Sequence, residues 1–175
     1  MTGWLRALVT LTLSGCLFLA VMSGATPRAQ AQAPQADAKG PIMSTHAKGS
    51  FDVKMTPVSE DKTESSTIAR MTNEKQFHGD LEATSKGEML TAGTAVKGSA
   101  GYVLIERVTG TLQGRKGTFV FQHSATLTRG APQQIITVVP DSGSDQLVGL
   151  AGSMTIEIKD GKHFYDFAYT LPDAH

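Results

Sequence analysis

GSAGYVLIERVTGTLQGRKGTFVFQHSATLT, residues Gly98–Thr128, decides the fold. Two runs rich in β-branched, aromatic and aliphatic residues, Tyr102–Leu112 and Thr118–Leu127, flank the Gly-bracketed stretch Gly114-Arg115-Lys116-Gly117. This pattern predicts a β-hairpin with a loop of a few residues. The hairpin carries Tyr102, Glu106, Arg107 and His123, the most chemically capable side chains of the chain.

Its register decides what those side chains can do. Pairing Leu112 with Thr118 sets Arg107 opposite His123 and Glu106 opposite Ser124. Pairing Leu112 with Phe119 puts Glu106 on one face with Phe119, Phe121 and His123. A one-residue slip flips every side chain to the other face, so the two registers build different sites.

Outward from the hairpin, the chain reads as β throughout. Phe51, Val53 and Met55 alternate with polar neighbours, and Pro57 is expected to end that strand. Val58–Lys62 reads as a loop and Glu64–Met71 as a second strand. Asn73–Gly79, then Asp80–Ser85 and Glu88–Ala95 about a Lys86-Gly87 turn, follow. Gln133–Val139 is a further strand closed by Pro140. Pro140–Asp145 is dense in turn formers, Ser142 and Ser144 among them, and Gln146–Gly152 is a short helical turn or a strand crossing a bend. Ser153–Lys159 and Lys162–Leu171 form a last hairpin about Asp160-Gly161, the strongest short hairpin signal present. Eight or nine strands without an amphipathic helix support an up-and-down barrel or a sandwich. Val103-Leu104-Ile105 and Phe119-Val120-Phe121 are apolar on both faces. A closed barrel accounts for that if one face fills the lumen and the other packs a neighbouring subunit.

Residues 1–33 have the layout of a secretory signal: basic Arg6, an apolar run from Ala7 to Met22, and small-residue sites ending at Ala31 and Ala33. The run falls short of the roughly 20 apolar residues of a membrane span. Leu13-Ser14-Gly15-Cys16 resembles a lipobox, but the apolar run continues past Cys16, which favours ordinary cleavage near Ala31 or Ala33 over a lipoprotein. The expected products are an exported chain, periplasmic or secreted, with a flexible lead-in at 34–45 and one β-barrel domain at 46–172. Arg6 and Arg28 lie in the signal, leaving 14 of the 16 basic residues against 16 acidic ones, a formal charge of −2. Such a chain carries no basic footprint for nucleic acid and no transmembrane helix. The only Cys and the only Trp, Cys16 and Trp4, also lie in the signal, which excludes disulfide and thiol chemistry from the cleaved protein.

Beyond the hairpin itself, Gly98-Ser99-Ala100-Gly101-Tyr102, Ile105-Glu106-Arg107, Gly110-Thr111-Leu112-x-Gly114 and Gln122-His123-Ser124 form a recognisable series. Val139-Pro140-Asp141-Ser142-Gly143-Ser144, Leu150-Ala151-Gly152, His163 and Leu171-Pro172 continue it. Over residues 46–172 the chain resembles a bacterial family known as domain of unknown function 3224. The family often has His-Ser-Gly where this chain has His123-Ser124-Ala125. The resemblance implies a closed antiparallel barrel of eight or nine strands, allene-oxide-cyclase-like or avidin-like within the calycin-like class. It implies no activity, and a fold supplies none by itself.

An eight-stranded barrel is either filled by side chains or holds one small ligand. Glu106 and His123 facing the lumen beside Tyr102 form a candidate acid/base set, the one a cofactor-independent cyclase or isomerase would need. The alternative is a structural polar contact that closes the barrel. Candidate ligand-binding residues are Tyr102, Arg107, Phe119, Phe121, His123, His163, Tyr165 and Phe167. No metal or cofactor site is expected, because His46, His78, His123, His163 and His175 lack ligand spacing. The leading expectation is an exported barrel that binds a small apolar molecule in its lumen without catalysis. A cyclase or isomerase and a homo-oligomeric structural module are the competing readings.

Overall fold

A computed structural model of the chain describes residues 44–172; the signal-like segment 1–33 and nearly all of the lead-in lie outside them. The strands are β1 (Thr45–Lys62), β2 (Ser66–Gly79), β3 (Leu81–Thr94), β4 (Ala100–Leu112), β5 (Arg115–Thr128), β6 (Ala131–Val138), β7 (Ala151–Lys159) and β8 (Lys162–Thr170). Each pairs antiparallel with the next, and β8 returns to β1, so the eight strands form a closed barrel. Among the described residues no helix is long and apolar enough to cross a membrane.

Three turn positions differ from the sequence expectation, each for a local reason. The β4–β5 loop is two residues, Gln113-Gly114, with Leu112 paired to Arg115. Gln113 (φ 44°) and Gly114 (φ 85°) both lie in the left-handed region, whose twist matches that of the flanking strands. Neither expected pairing occurs, but the face predicted for the second one does: Glu106, Phe119, Phe121 and His123 are all buried in the barrel interior. Lys86-Gly87 is not a turn but the middle of β3, and the reversal falls at Gly79-Asp80. Pro57 does not end β1. The strand continues to Lys62 with its register shifted between Pro57 and Ser59. Pairing of β1 to β8 stops at Phe51, so beyond that point β1 has a free side on which a missing N–H costs nothing.

The ring is uneven. β6 and β7 share one residue pair, Thr137 with Ser153. Residues 139–150 run between them through a 3-10 turn at Asp145–Leu147 and lie along the part of β5 that β6 does not reach. Val120 N–H donates to Ser142 Oγ (3.0 Å), Thr118 N–H to Ser144 Oγ (3.0 Å) and Lys116 N–H to Gln146 Oε1 (2.8 Å). Serines that read as turn formers thus stand in for a missing strand. Leu147 and Leu150 from this segment are buried and join the core.

The core fills one half of the barrel with aromatic side chains. Phe119 meets Phe121 edge-on (4.9 Å between ring centres), Phe121 meets Phe167 (5.2 Å), and Phe167 meets Tyr169 (5.3 Å). Edge-to-face and tilted packing of this kind adds to the area the rings bury. Leu81, Val108 and Leu112 are buried with them.

Candidate functional site

Beside the aromatic core lies a polar network inside the barrel. Glu106 on β4 is 1% exposed, and its carboxylate accepts three hydrogen bonds. Lys75 Nζ on β2 donates to Oε1 (2.6 Å), His123 Nε2 on β5 to Oε1 (2.7 Å), and Ser85 Oγ on β3 to Oε2 (2.6 Å). The Lys75 ammonium also lies 5.2 Å from the centre of the Phe51 ring and 5.8 Å from that of Phe77. A cation over aromatic faces gains further when it is desolvated.

The glycine within β3 makes the network possible. Gly87 is the β3 partner of Glu106, and a Cβ there would lie 2.7 Å from Glu106 Cβ and 2.5 Å from Ile105 O. A side chain at that position would displace the carboxylate stem.

The charge states follow from these contacts. Burial by itself would raise the Glu106 pKa, but the hydrogen bond from His123 and the charge of Lys75 outweigh it and hold the carboxyl at about 2. Burial lowers His123, so the imidazole is neutral at pH 7. Its Nε2 therefore carries the proton given to Glu106, since a carboxylate only accepts, and Nδ1 is its acceptor. Burial also lowers Lys75, opposed by Glu106. The resting set is Lys75 cation, Glu106 anion and neutral His123, with no net charge.

Above the network the lumen is open over about 200 Å³, lined by side chains from all eight strands. Its walls are apolar, with Val53, Met55, Met89, Leu104, Ile156 and Ile158 prominent; Asn73, Lys75, Tyr102, His123, Gln134 and His163 supply its polar atoms. A larger depression of about 570 Å³ lies on the outer wall along Lys48, Ser50, His78 and Lys159, away from the network.

The structure divides the residues singled out from the sequence. Tyr102, His123 and His163 line the lumen. Tyr102 is a row away from the acid/base pair: its hydroxyl accepts from Gln134 Nε2 (2.5 Å), and burial keeps it protonated. His163 stacks on Phe51 (4.9 Å). Phe119, Phe121 and Phe167 are buried in the aromatic core and do not line the lumen. Tyr165 is tied to the backbone, accepting from Leu81 N–H (2.9 Å) and donating to His78 O (3.2 Å). Arg107 is exposed on the outside and cannot bind a lumen ligand. Neighbouring strand residues point to opposite faces, and Glu106 takes the inner one.

Lys75, Ser85 and Asn73 were not singled out. Asn73-Glu74-Lys75-Gln76 is polar on both faces, so no alternation marks its inner side. Placing the β2–β3 turn at Gly79-Asp80 is the step that would have set Lys75 opposite Ser85. Among the described residues no group of three or more His, Cys, Asp or Glu gathers as a metal site.

A family model described as "Protein of unknown function (DUF3224)" matches residues 47–169. The crystal structure of a DUF3224-family protein with unknown function from Shewanella oneidensis MR-1 is 48% identical in sequence, with a TM-score of 0.71. The match covers 75% of this chain and 99% of that one. No curated protein matches the chain.

Proposed function

Because the chain belongs to the DUF3224 family of proteins of unknown function, we propose a function from its own lumen: it binds one small, largely apolar molecule there, without catalysis. The observation that carries this reading is a space of about 200 Å³ with apolar walls and contributions from every strand. Small-molecule pockets usually run from about 300 to 1,000 Å³, while apolar cavities of about 150 Å³ take up benzene. The ligand is therefore the size of a single ring or a short branched chain.

Native mass spectrometry of the purified protein, with solvent extraction of what it carries, tests the reading directly. A co-purifying small molecule, or uptake of benzene-sized probes that Met89→Trp blocks, is the expected result. A protein that carries nothing and admits no probe overturns it.

Two features support neighbouring proposals. Glu106 and His123 do meet, as a proton-transferring cyclase or isomerase needs, but a carboxylate held at about 2 by three donors is a weak base at neutral pH. Leu90, Val103, Ile105 and Ile135 are 49–67% exposed on the outer wall, which favours assembly of copies; light scattering after size exclusion tests it, and a strict monomer rules it out. Export rests on the signal-like residues 1–33, and the N-terminal mass of the mature protein should place cleavage after Ala31 or Ala33.

A further inference from the structure

We propose that the lumen ligand carries a hydroxyl group on an apolar body, and that this hydroxyl is anchored by His123, donating its proton to the ring Nδ1. The inference rests on the lumen-binding reading and specifies the polar group of its ligand. His123 is 2% exposed and lines the lumen, and its Nε2 is committed to Glu106. With Nε2 carrying the ring proton, Nδ1 is a lone-pair acceptor, and no donor among the described residues bonds to it. Nor is Nδ1 sealed into the wall. Among the described residues the one fully enclosed side-chain nitrogen or oxygen without a partner is Asn73 Oδ1. The His123 Nδ1 therefore opens on the lumen as an unmet acceptor.

The register accounts for this. The strand neighbours of His123 are Leu104 on β4 and Ile136 on β6, and neither has a side-chain donor. Beside it stands Lys75, since Lys75 Nζ and His123 Nε2 both hold the same oxygen, Oε1, of Glu106. The Lys75 ammonium gives one proton to Glu106 and keeps two N–H groups uncommitted. This part of the lumen wall thus pairs an acceptor with a donor. A hydroxyl is the smallest group that answers both, giving one proton and accepting others on the same oxygen. It reproduces the bonds that water would make there, which an ether or a hydrocarbon does not.

The charge of the ligand follows from the same groups. Lys75 and Glu106 already cancel at 2.6 Å, and both are buried. An ionised ligand would add a net charge to this interior, which is costly even where one spare donor is at hand. The site suits a phenol or a small alcohol in its neutral form.

Titration of the purified protein with phenol, toluene, benzonitrile and benzoate tests the assignment, read by NMR from the lumen methyl groups and from the ring nitrogens of isotope-labelled histidine. Phenol should bind several-fold to about tenfold tighter than toluene, its near-isostere, the worth of one satisfied hydrogen bond. Bound phenol should shift the Nδ1 resonance of His123 while Nε2 keeps its proton, and toluene should leave that resonance nearly unmoved. This readout needs no variant. Lys75→Met, Ser85→Ala, Glu106→Leu and His123→Phe combined replace the whole network by apolar groups, an exchange that is often neutral in stability. That protein should retain toluene and lose the preference for phenol. Equal binding of phenol and toluene, an Nδ1 resonance indifferent to bound phenol, or a preference that survives the combined replacement overturns the assignment. So does tighter binding of benzonitrile or benzoate, which accept but do not donate and would move the anchor to Lys75. Each of these outcomes leaves the lumen reading intact. If none of the probes enters the native protein, the lumen reading falls as well.

Discussion

Gly87 stands directly opposite Glu106 in the β3–β4 ladder, where a Cβ would come within 2.7 Å of the Glu106 Cβ. Gly87→Ala therefore pushes into the stem of the buried carboxylate and the carbonyl of Ile105. Overpacking of this kind costs about 1–3 kcal/mol. Urea unfolding should show that loss with an unchanged slope, and a neutral result would mean that β3 shifts freely.

Glu106→Gln leaves the buried Lys75 cation without its counter-charge. Removing one partner of a buried pair costs about 3–5 kcal/mol, whereas replacing both with apolar groups is often neutral or stabilising. Lys75→Met combined with Glu106→Gln should be more stable than Glu106→Gln alone. A double-mutant cycle by chemical denaturation measures the difference, and strict additivity would remove the pair from the stability of the fold.

Acidification acts on this network in two steps. Burial depresses His123 in the folded state, so protons bind the unfolded chain first, and stability present above the ordinary value of 6.5 falls as pH drops below it. Glu106 is depressed from 4.5 to about 2, so its contribution, on the order of 3 kcal/mol, is present above pH 4.5 and is lost between there and about 2. His123→Gln, which keeps a donor for Glu106, should flatten the first step and leave the second. Thermal unfolding from pH 8 to 2 reads both limbs.

Ser142 and Ser144 complete the edge of β5 with their hydroxyls. Each alanine replacement unpairs one backbone N–H and should cost about 1–2 kcal/mol. Amide exchange should quicken at Val120 in Ser142→Ala and at Thr118 in Ser144→Ala, with little change at Leu104 on the neighbouring strand β4, paired with His123.

The strands were legible wherever local chemistry and global fold agreed. Asp160-Gly161 turns β7 into β8 as its dipeptide announces, with φ of 51° and 75°. Glu106 and His123 share a face in any odd-numbered slip of the hairpin, so their meeting needed only the parity of the register. What stayed hidden depended on residues far apart in the chain. Gly87 reads as a turn until Glu106 is set across from it, and Lys75 reads as a solvated charge until β2 and β4 are brought together by β3. Gln113, an uncommon residue for a left-handed turn position, is held there by its own amide. Its Nε2 donates to His46 O (3.0 Å) and its Oε1 accepts from Tyr169 O–H (2.6 Å).

The single residue pair joining β6 to β7 leaves backbone edges that could template a foreign strand, the route by which sheets grow into aggregates. Three side chains guard those edges. Pro132 in β6 offers no N–H, and exposed Glu157 and Lys159 place charges along β7, 3.3 Å apart. A strand arriving from another copy would have to bury that ion pair to extend the sheet. The barrel therefore protects its weakest seam by the cost of desolvating charge outside it rather than by adhesion within.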